Sequence, residues 1–137
     1  MSAPTPAAGT QKPRVFTVEL PTGLVLLNAN DRLHWAVRAR RVREIRDAAR
    51  WMARHNKVPR LARARIDVVV HPKPRASRFD PHNWGPSAKA AIDGLVDAGV
   101  LPDDSSAYLV ASEVRAGDPV RGGRLDLVIT EVFRDDQ

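Results

Sequence analysis

Phe16, Val18 and Leu20 alternate with Val15, Thr17 and Glu19, which predicts a strand over residues 14–20 with one face more buried than the other. The stretch PTGLVLLNANDRLHW carries Pro21 and Gly23, then Asn28, Asn30 and Asp31, and reads as a loop with an apolar anchor at residues 24–27. Asp31 or a polar neighbour is expected to cap a helix over residues 33–55. There Trp35, Val42, Ile45, Ala49 and Met52 recur at helical spacing as one buried stripe. Pro59 ends any continuation. The β-branched run ARIDVVVH predicts a central strand over residues 64–71, stopped by Pro72 and Pro74. After the basic loop KPRASRFDPHNWG, Pro86 stands at a first helical position and residues 87–98 read as a helix. Ala88, Ile92 and Leu95 share one face of it, and Gly99 is placed for a C-terminal cap. The turn VLPDDSS leads to a strand over 107–115, and a loop over 116–123 connects to a last strand over 124–132. In that strand Leu125, Leu127 and Ile129 lie opposite Asp126, Val128 and Thr130. The run at Gly122–Arg124 reads as a hairpin turn. The expected fold class is α/β: a single domain over 14–133 with order β-α-β-α-β-β, a mixed sheet and two helices packed on it. Residues 1–13 are expected to form a disordered leader and 134–137 a short tail.

Length agrees, since 137 residues suffice for one compact domain and not for two ordinary ones. With 43% hydrophobic and 28% charged residues the body is expected to fold. The absence of cysteine excludes a disulfide scaffold, a thiolate zinc site and a cysteine nucleophile. No apolar run approaches the ~20 residues that span a bilayer, and the first residues lack a signal-type apolar core. A cytosolic location is the default expectation. The net charge of +6 is unevenly spread. Residues 32–65 hold eleven Arg and one Lys against Glu44 and Asp47, which is +10 and leaves −4 for the rest. Such polarity suggests a polyanion partner on one side, the plainer alternative being a solubilising helix face.

Candidate chemistry gathers in the acidic part. Asp80, Asp93, Asp97, Asp103 and Asp104 fall between Phe79 and Ser105, with Lys89 the one base among them. If the turns flanking the second helix meet at one end of the sheet, Asp80, His82 and Asp103 or Asp104 converge. Hard divalent cations take oxygen ligands, commonly one or two carboxylates plus substrate phosphate, and can support phosphodiester hydrolysis. Lys89 would stabilise charge growing on phosphorus. Simpler roles exist for each: Asp80-Pro81 as a turn opener, Lys89 and Asp93 as an i,i+4 ion pair, Asp103-Asp104 as turn chemistry, His82 as an exposed polar residue. Adjacent strand residues point to opposite faces, so one of Asp103 and Asp104 is expected to face the site. Trp35 and Trp51 are expected in the core. Trp84 is expected to wedge its loop against the body, with base stacking as the alternative. No Gly-rich phosphate loop or Ser/His/Asp order is present.

Four stretches carry a family resemblance: LNANDRLHW after the first strand, RFDPHN followed by KAAIDGLVDAG, the turn LPDDSS, and GGRLDLVITE at the end. In order and spacing they resemble the RusA family of Holliday-junction resolvases, over residues 15–132. The resemblance implies an α/β fold, a homodimer, and Mg²⁺-dependent (or Mn²⁺-dependent) cutting of four-way DNA junctions. It makes Asp80, Asp104 and Lys89 catalytic, and Asp80, His82, Asp104 and Asp103 metal ligands. Asn83 and Asp93 match further motif positions. Arg38, Arg41, Lys73, Arg75 and Arg78 are the expected DNA contacts. In a two-fold dimer the two sites would make paired nicks. Two departures stand out. His82 occupies a position where the family usually has a carboxylate, and a neutral imidazole suits Mn²⁺ better than Mg²⁺. WGPSA makes the spacing to Lys89 about three residues longer than the family pattern. They motivate a rival expectation, a DNA-binding protein of this fold that is catalytically inactive or weakened; a nuclease for flaps or other branched intermediates is a third.

Overall fold

The computed structural model describes residues 12–74 and 81–133, without the side chains of Pro81 and His82. The order is β1 (Val15–Glu19), α1 (Trp35–His55), β2 (Ala64–His71), a 3₁₀ turn (Pro81–Trp84), α2 (Gly85–Asp97), β3 (Leu109–Ala116) and β4 (Arg124–Glu131). The alternating order of strands and helices expected from the hydrophobic pattern is observed in one small α/β domain.

The four strands form one mixed sheet in the order β1-β4-β2-β3. β4 runs antiparallel to both β1 and β2, while β3 runs parallel to β2 and is reached through α2. Because β2 stands between β3 and β4, the glycine turn does not make a hairpin of neighbouring strands; that expectation is corrected. Gly122 and Gly123 have φ of +84° and +73° and turn the chain so that residues 117–123 pass the end of β2. The amides of Gly117 and Val120 donate to the carbonyls of Val70 and Pro72 along the way.

Period-2 alternation decides which face of the sheet is covered. Ile66, Val68 and Val70 of β2 and Leu125, Leu127 and Ile129 of β4 are buried, as is Val18 of β1, and all belong to one core. The opposite face carries ion pairs. Arg65 holds Asp67 and Glu113, and Arg124 holds Asp126, which also meets His71.

α1 starts later than its sequence pattern suggests. His34 is the cap, its Nδ1 accepting from the Ala36 amide at 3.2 Å. Asp31 does not cap α1: it lies three residues too early and accepts from the Asn28 amide at 2.9 Å, closing the preceding turn. Ile45, Ala49 and Ala53 form the buried line of the helix, with Val42 and Met52 at its margins. Trp35 and Trp51 are 76% and 65% exposed, which overturns their expected place in the core. Trp35 is the first helical residue, and Trp51 projects from the side opposite Ile45 at 100° per residue. Trp84, by contrast, packs against the core as expected.

α2 ends as anticipated. Gly99 has φ +87°, and the amides of Gly99 and Val100 donate to the carbonyls of Val96 and Leu95, the paired bonds of a Schellman cap. The helix is buried on most of its circumference, through Ser87, Ala88, Ala90, Ala91, Ile92, Gly94 and Leu95. Ser87 is fully buried, and its Oγ accepts from the Leu27 amide at 2.6 Å and donates to the Leu27 carbonyl at 2.8 Å. One hydroxyl thus pins the apolar loop anchor to α2. Gly94 lets α1 approach: a Cβ there would overlap the Arg46 carbonyl oxygen and stand 2.7 Å from the Ala49 Cβ.

Helix propensity alone favours Gly94→Ala by about 1 kcal/mol. The overlap is with main chain, which cannot rotate away, so the expected net result is a loss of about 1–3 kcal/mol, read as a lower urea midpoint. Gly85→Ala, where a Cβ meets nothing within 4 Å, should not lower it. Ser87→Ala should cost about 1–3 kcal/mol, because two buried main-chain groups of Leu27 lose their partner.

Candidate active site

At 100° per residue, Lys89, Asp93 and Asp97 form one ridge along the narrow exposed side of α2. The chain leaving the helix is anchored low, where Val100 and Leu101 are buried and the Leu61 amide donates to the Val100 carbonyl at 2.8 Å. It then turns back beside the helix. Asp103 Oδ1 accepts from the Ser105 amide at 2.7 Å, which shapes the bend. Asp104 Oδ2 meets Lys89 Nζ at 2.8 Å, and Asp93 Oδ1 meets the same Nζ at 2.9 Å. The ammonium therefore sits between one carboxylate of its own helix and one from the turn that follows. Asp104 faces this cluster, and Asp103 serves the local backbone.

The electrostatics follow from that placement. Hydrogen bonds to Asp104 first, and then to Asp93, raise the pKa of Lys89 above its ordinary value. The Lys89 hydrogen bond holds Asp104 below the usual carboxylate range. Further along the ridge Asp97 is lowered by its hydrogen bond to Arg46, whose Nη2 lies 2.8 Å from Asp97 Oδ1. Lys89 is 63% exposed and Asp104 45%, so both remain open to an incoming ligand.

Of the other expected site residues, Asp80, Arg75 and Arg78 lie outside the described residues, as does the side chain of His82. The backbone of His82 belongs to the 3₁₀ turn that leads into α2. Asn83 contributes through its main chain, its carbonyl accepting from the Ala29 amide at 2.6 Å. Among the described residues no three His, Asp or Glu side chains gather as metal ligands, and no helix is long and apolar enough to cross a membrane.

The basic segment is not one face. Arg65 lies on the open face of the sheet and is bound to Asp67 and Glu113. Arg38 and Arg41, the residues singled out on α1, are half-buried. Arg43, Arg50 and Arg54, beside the buried line of Ile45, Ala49 and Ala53, are exposed. Arg40 lies 4.0 Å from Glu44 and Arg46 is bound to Asp97, whereas Arg43 and Arg50 have no ion-pair partner among the described residues. Lys73 lies beyond β2 at the rim of a cavity of about 460 Å³ that no motif announced.

The Lys89–Asp104 pair has a defined pH window. The Asp104 contribution is present above the unfolded carboxylate pKa and is lost as pH falls through its depressed folded value. The Lys89 contribution is present below its unfolded pKa and is lost as pH rises through its elevated folded value. Between about pH 5 and pH 9 the pair is constant. Lys89→Met should move the Asp104 carboxyl titration upward, toward the ordinary carboxylate range, as followed by carboxyl-carbon NMR. An unchanged Asp104 midpoint would mean that the two groups do not meet in solution.

No model of a known protein family matches the chain, and no curated protein matches it.

Proposed function

We propose that the protein is a divalent-metal-dependent endodeoxyribonuclease acting on branched DNA, with a four-way junction as its principal substrate and a homodimer as its working form. The observation that carries this reading is the Lys89 ammonium held between Asp93 and Asp104 on an exposed ridge. Arg43 and Arg50, exposed on α1, support it, because phosphate contacts supply most of a sequence-independent affinity for DNA. The resemblance to the RusA family in four separate stretches supplies the branched substrate and the two-fold symmetry.

The donor set suits a hard cation. Asp104 engages Lys89 through Oδ2 and Asp103 engages the Ser105 amide through Oδ1, and both are carboxylates of the kind such an ion takes. In the family pattern Asp80, His82, Asp103 and Asp104 would hold the metal, and His82 shifts the preference toward Mn²⁺. When bound, the metal supplies Lewis-acid stabilisation of the phosphodiester and a more acidic water. Lys89 keeps its proton throughout the neutral range and places a positive charge where a scissile phosphate gains negative charge. Arg43 and Arg50 neutralise backbone phosphates and orient the duplex without reading its sequence.

A second reading has its own observation. The ammonium is already paired with two carboxylates, an arrangement that also suits a DNA-binding module with no cutting activity. A labelled synthetic junction separates the two. The first reading expects nicks with Mg²⁺ or Mn²⁺, and a loss of at least about 100-fold in Asp104→Asn and Asp80→Asn with junction binding retained. Tight binding by the wild type without product under either metal would establish the second. In either case, Arg43→Ala with Arg50→Ala should weaken binding. The slope of log affinity against log salt should become shallower by roughly 0.9 for each phosphate no longer neutralised, as measured by fluorescence anisotropy.

A further inference from the structure

The cavity near the start of α2 has walls of three kinds. Leu24, Val25, Leu26, Val70 and Pro72 line it with aliphatic surface, and Trp84 adds an aromatic ring that is itself packed on the core. Its far rim is main chain, because Gly122 and Gly123 place no side chain there. Lys73 stands at the opening, and no carboxylate pairs with it among the described residues. His71 is a fixed part of the wall: Nδ1 lies 2.7 Å from the Asp118 carbonyl oxygen and Nε2 lies 2.9 Å from Asp126 Oδ2.

The segment beside the cavity has unused hydrogen-bonding capacity. The Leu27 amide and carbonyl are both taken by Ser87, yet among the described residues the main-chain groups of Leu24, Val25 and Leu26 carry no hydrogen bond. Amides and carbonyls that are not paired within the protein need water or a ligand. A cavity of this size with apolar walls, a few polar edges and one cation is the ordinary form of a small-molecule site. Its ligand should have two apolar faces, a rim of donors and acceptors, and an attached anion.

We propose that this cavity takes a single unpaired nucleobase of a DNA strand. The ring lies among Leu24, Leu26, Pro72 and Trp84, its edge meets the main chain of residues 24–26, and its phosphate meets Lys73. A purely aliphatic ligand would leave Lys73 and the open main chain unused, and a bare phosphate would leave the apolar walls unused. The proposal rests on the branched-DNA reading for the source of the base: where pairing is already interrupted, removing a base from the stack costs least. It adds to that reading a second contact between protein and strand, distinct from the ion ridge on α2.

The test is a metal-free NMR titration of the full chain with deoxyadenosine 5′-monophosphate, with deoxyadenosine and deoxyribose 5-phosphate as controls. Amide shifts are expected at Gly23, Leu24, Val25, Leu26, Gly122 and Gly123 with the nucleotide. Deoxyadenosine should shift the same amides at higher concentration. Lys73→Gln should weaken the nucleotide about fivefold to tenfold and leave the nucleoside unchanged. Val25→Trp, at a position 48% exposed, should block both while the rest of the spectrum is preserved. Equal shifts with deoxyribose 5-phosphate, or nucleotide shifts that avoid these residues, would overturn the pocket. Junction nicking without cavity shifts overturns the pocket alone. Cavity shifts in a protein that nicks no junction under either metal overturn the nuclease reading and leave the pocket standing.

Discussion

The close contact between α1 and α2 at Gly94 positions everything else. With no Cβ at that point, the helices approach until the Arg46 carbonyl and the Ala49 side chain rest on the α2 backbone. That distance brings the Arg46 guanidinium onto Asp97 and leaves Lys89 and Asp93 on the uncovered side. Ser87, nearer the start of the same helix, fixes the segment that walls the cavity. One helix therefore carries both the ion ridge and the attachment of the proposed base pocket. A shift of α2 would displace the two together, which is why its packing matters to chemistry on its outer side.

Charge is arranged by face more than by amount. On the open face of the sheet Arg65 and Arg124 are bound to Asp67, Glu113 and Asp126, and Arg14 is bound to Glu131 at the end of the other face, so the sheet's charges are largely self-neutralised. Exposed pairs of this kind add about 0–1 kcal/mol each to stability. Their larger effect is on the field, since they cancel charge that a polyanion would otherwise feel. Arg43 and Arg50 of α1 are among the basic residues that lack such partners among the described residues, and their charge remains open to a polyanion. The +10 counted over residues 32–65 thus overstates the free charge and spreads it over surfaces that face different ways.

The elements are legible in the sequence because each follows from a local pattern. Alternation separates Leu125, Leu127 and Ile129 from Asp126, Val128 and Thr130, and Gly99 marks the end of α2 by residue type alone. Sheet order is not legible, since nothing within GGRL says that β4 inserts between β1 and β2. The tryptophans mislead when hydrophobicity is taken without phase: Trp51 lies opposite the line of Ile45 and Ala49. Lys89 and Asp93 are visible as an i,i+4 pair, and the Asp-Asp turn as a motif. Their meeting depends on a bend after α2 that turns back beside the helix, a tertiary path with no local signature. The cavity is hidden for the same reason, its walls coming from separated segments of the chain.

Lys89 links the two functional readings through one electrostatic balance. Its ammonium is 63% exposed and bonded to carboxylates that water also reaches, so each bond is worth little against a competing cation. At equal distance a divalent charge attracts Asp104 twice as strongly as the ammonium does. Competition from such an ion would free Lys89 from Asp104 while Asp93, one turn along the same helix, still holds it. The lysine would keep its position and lose half its neutralisation, leaving an exposed positive charge beside the proposed metal ligands. That is the disposition that steadies a phosphate gaining negative charge. Without the competing cation, the same three residues form a closed cluster in which one positive charge stands against two negative ones, beside a basic helix. On the proposed reading, whether the site cuts or only binds is therefore set by how firmly Asp104 prefers Lys89 to a divalent ion.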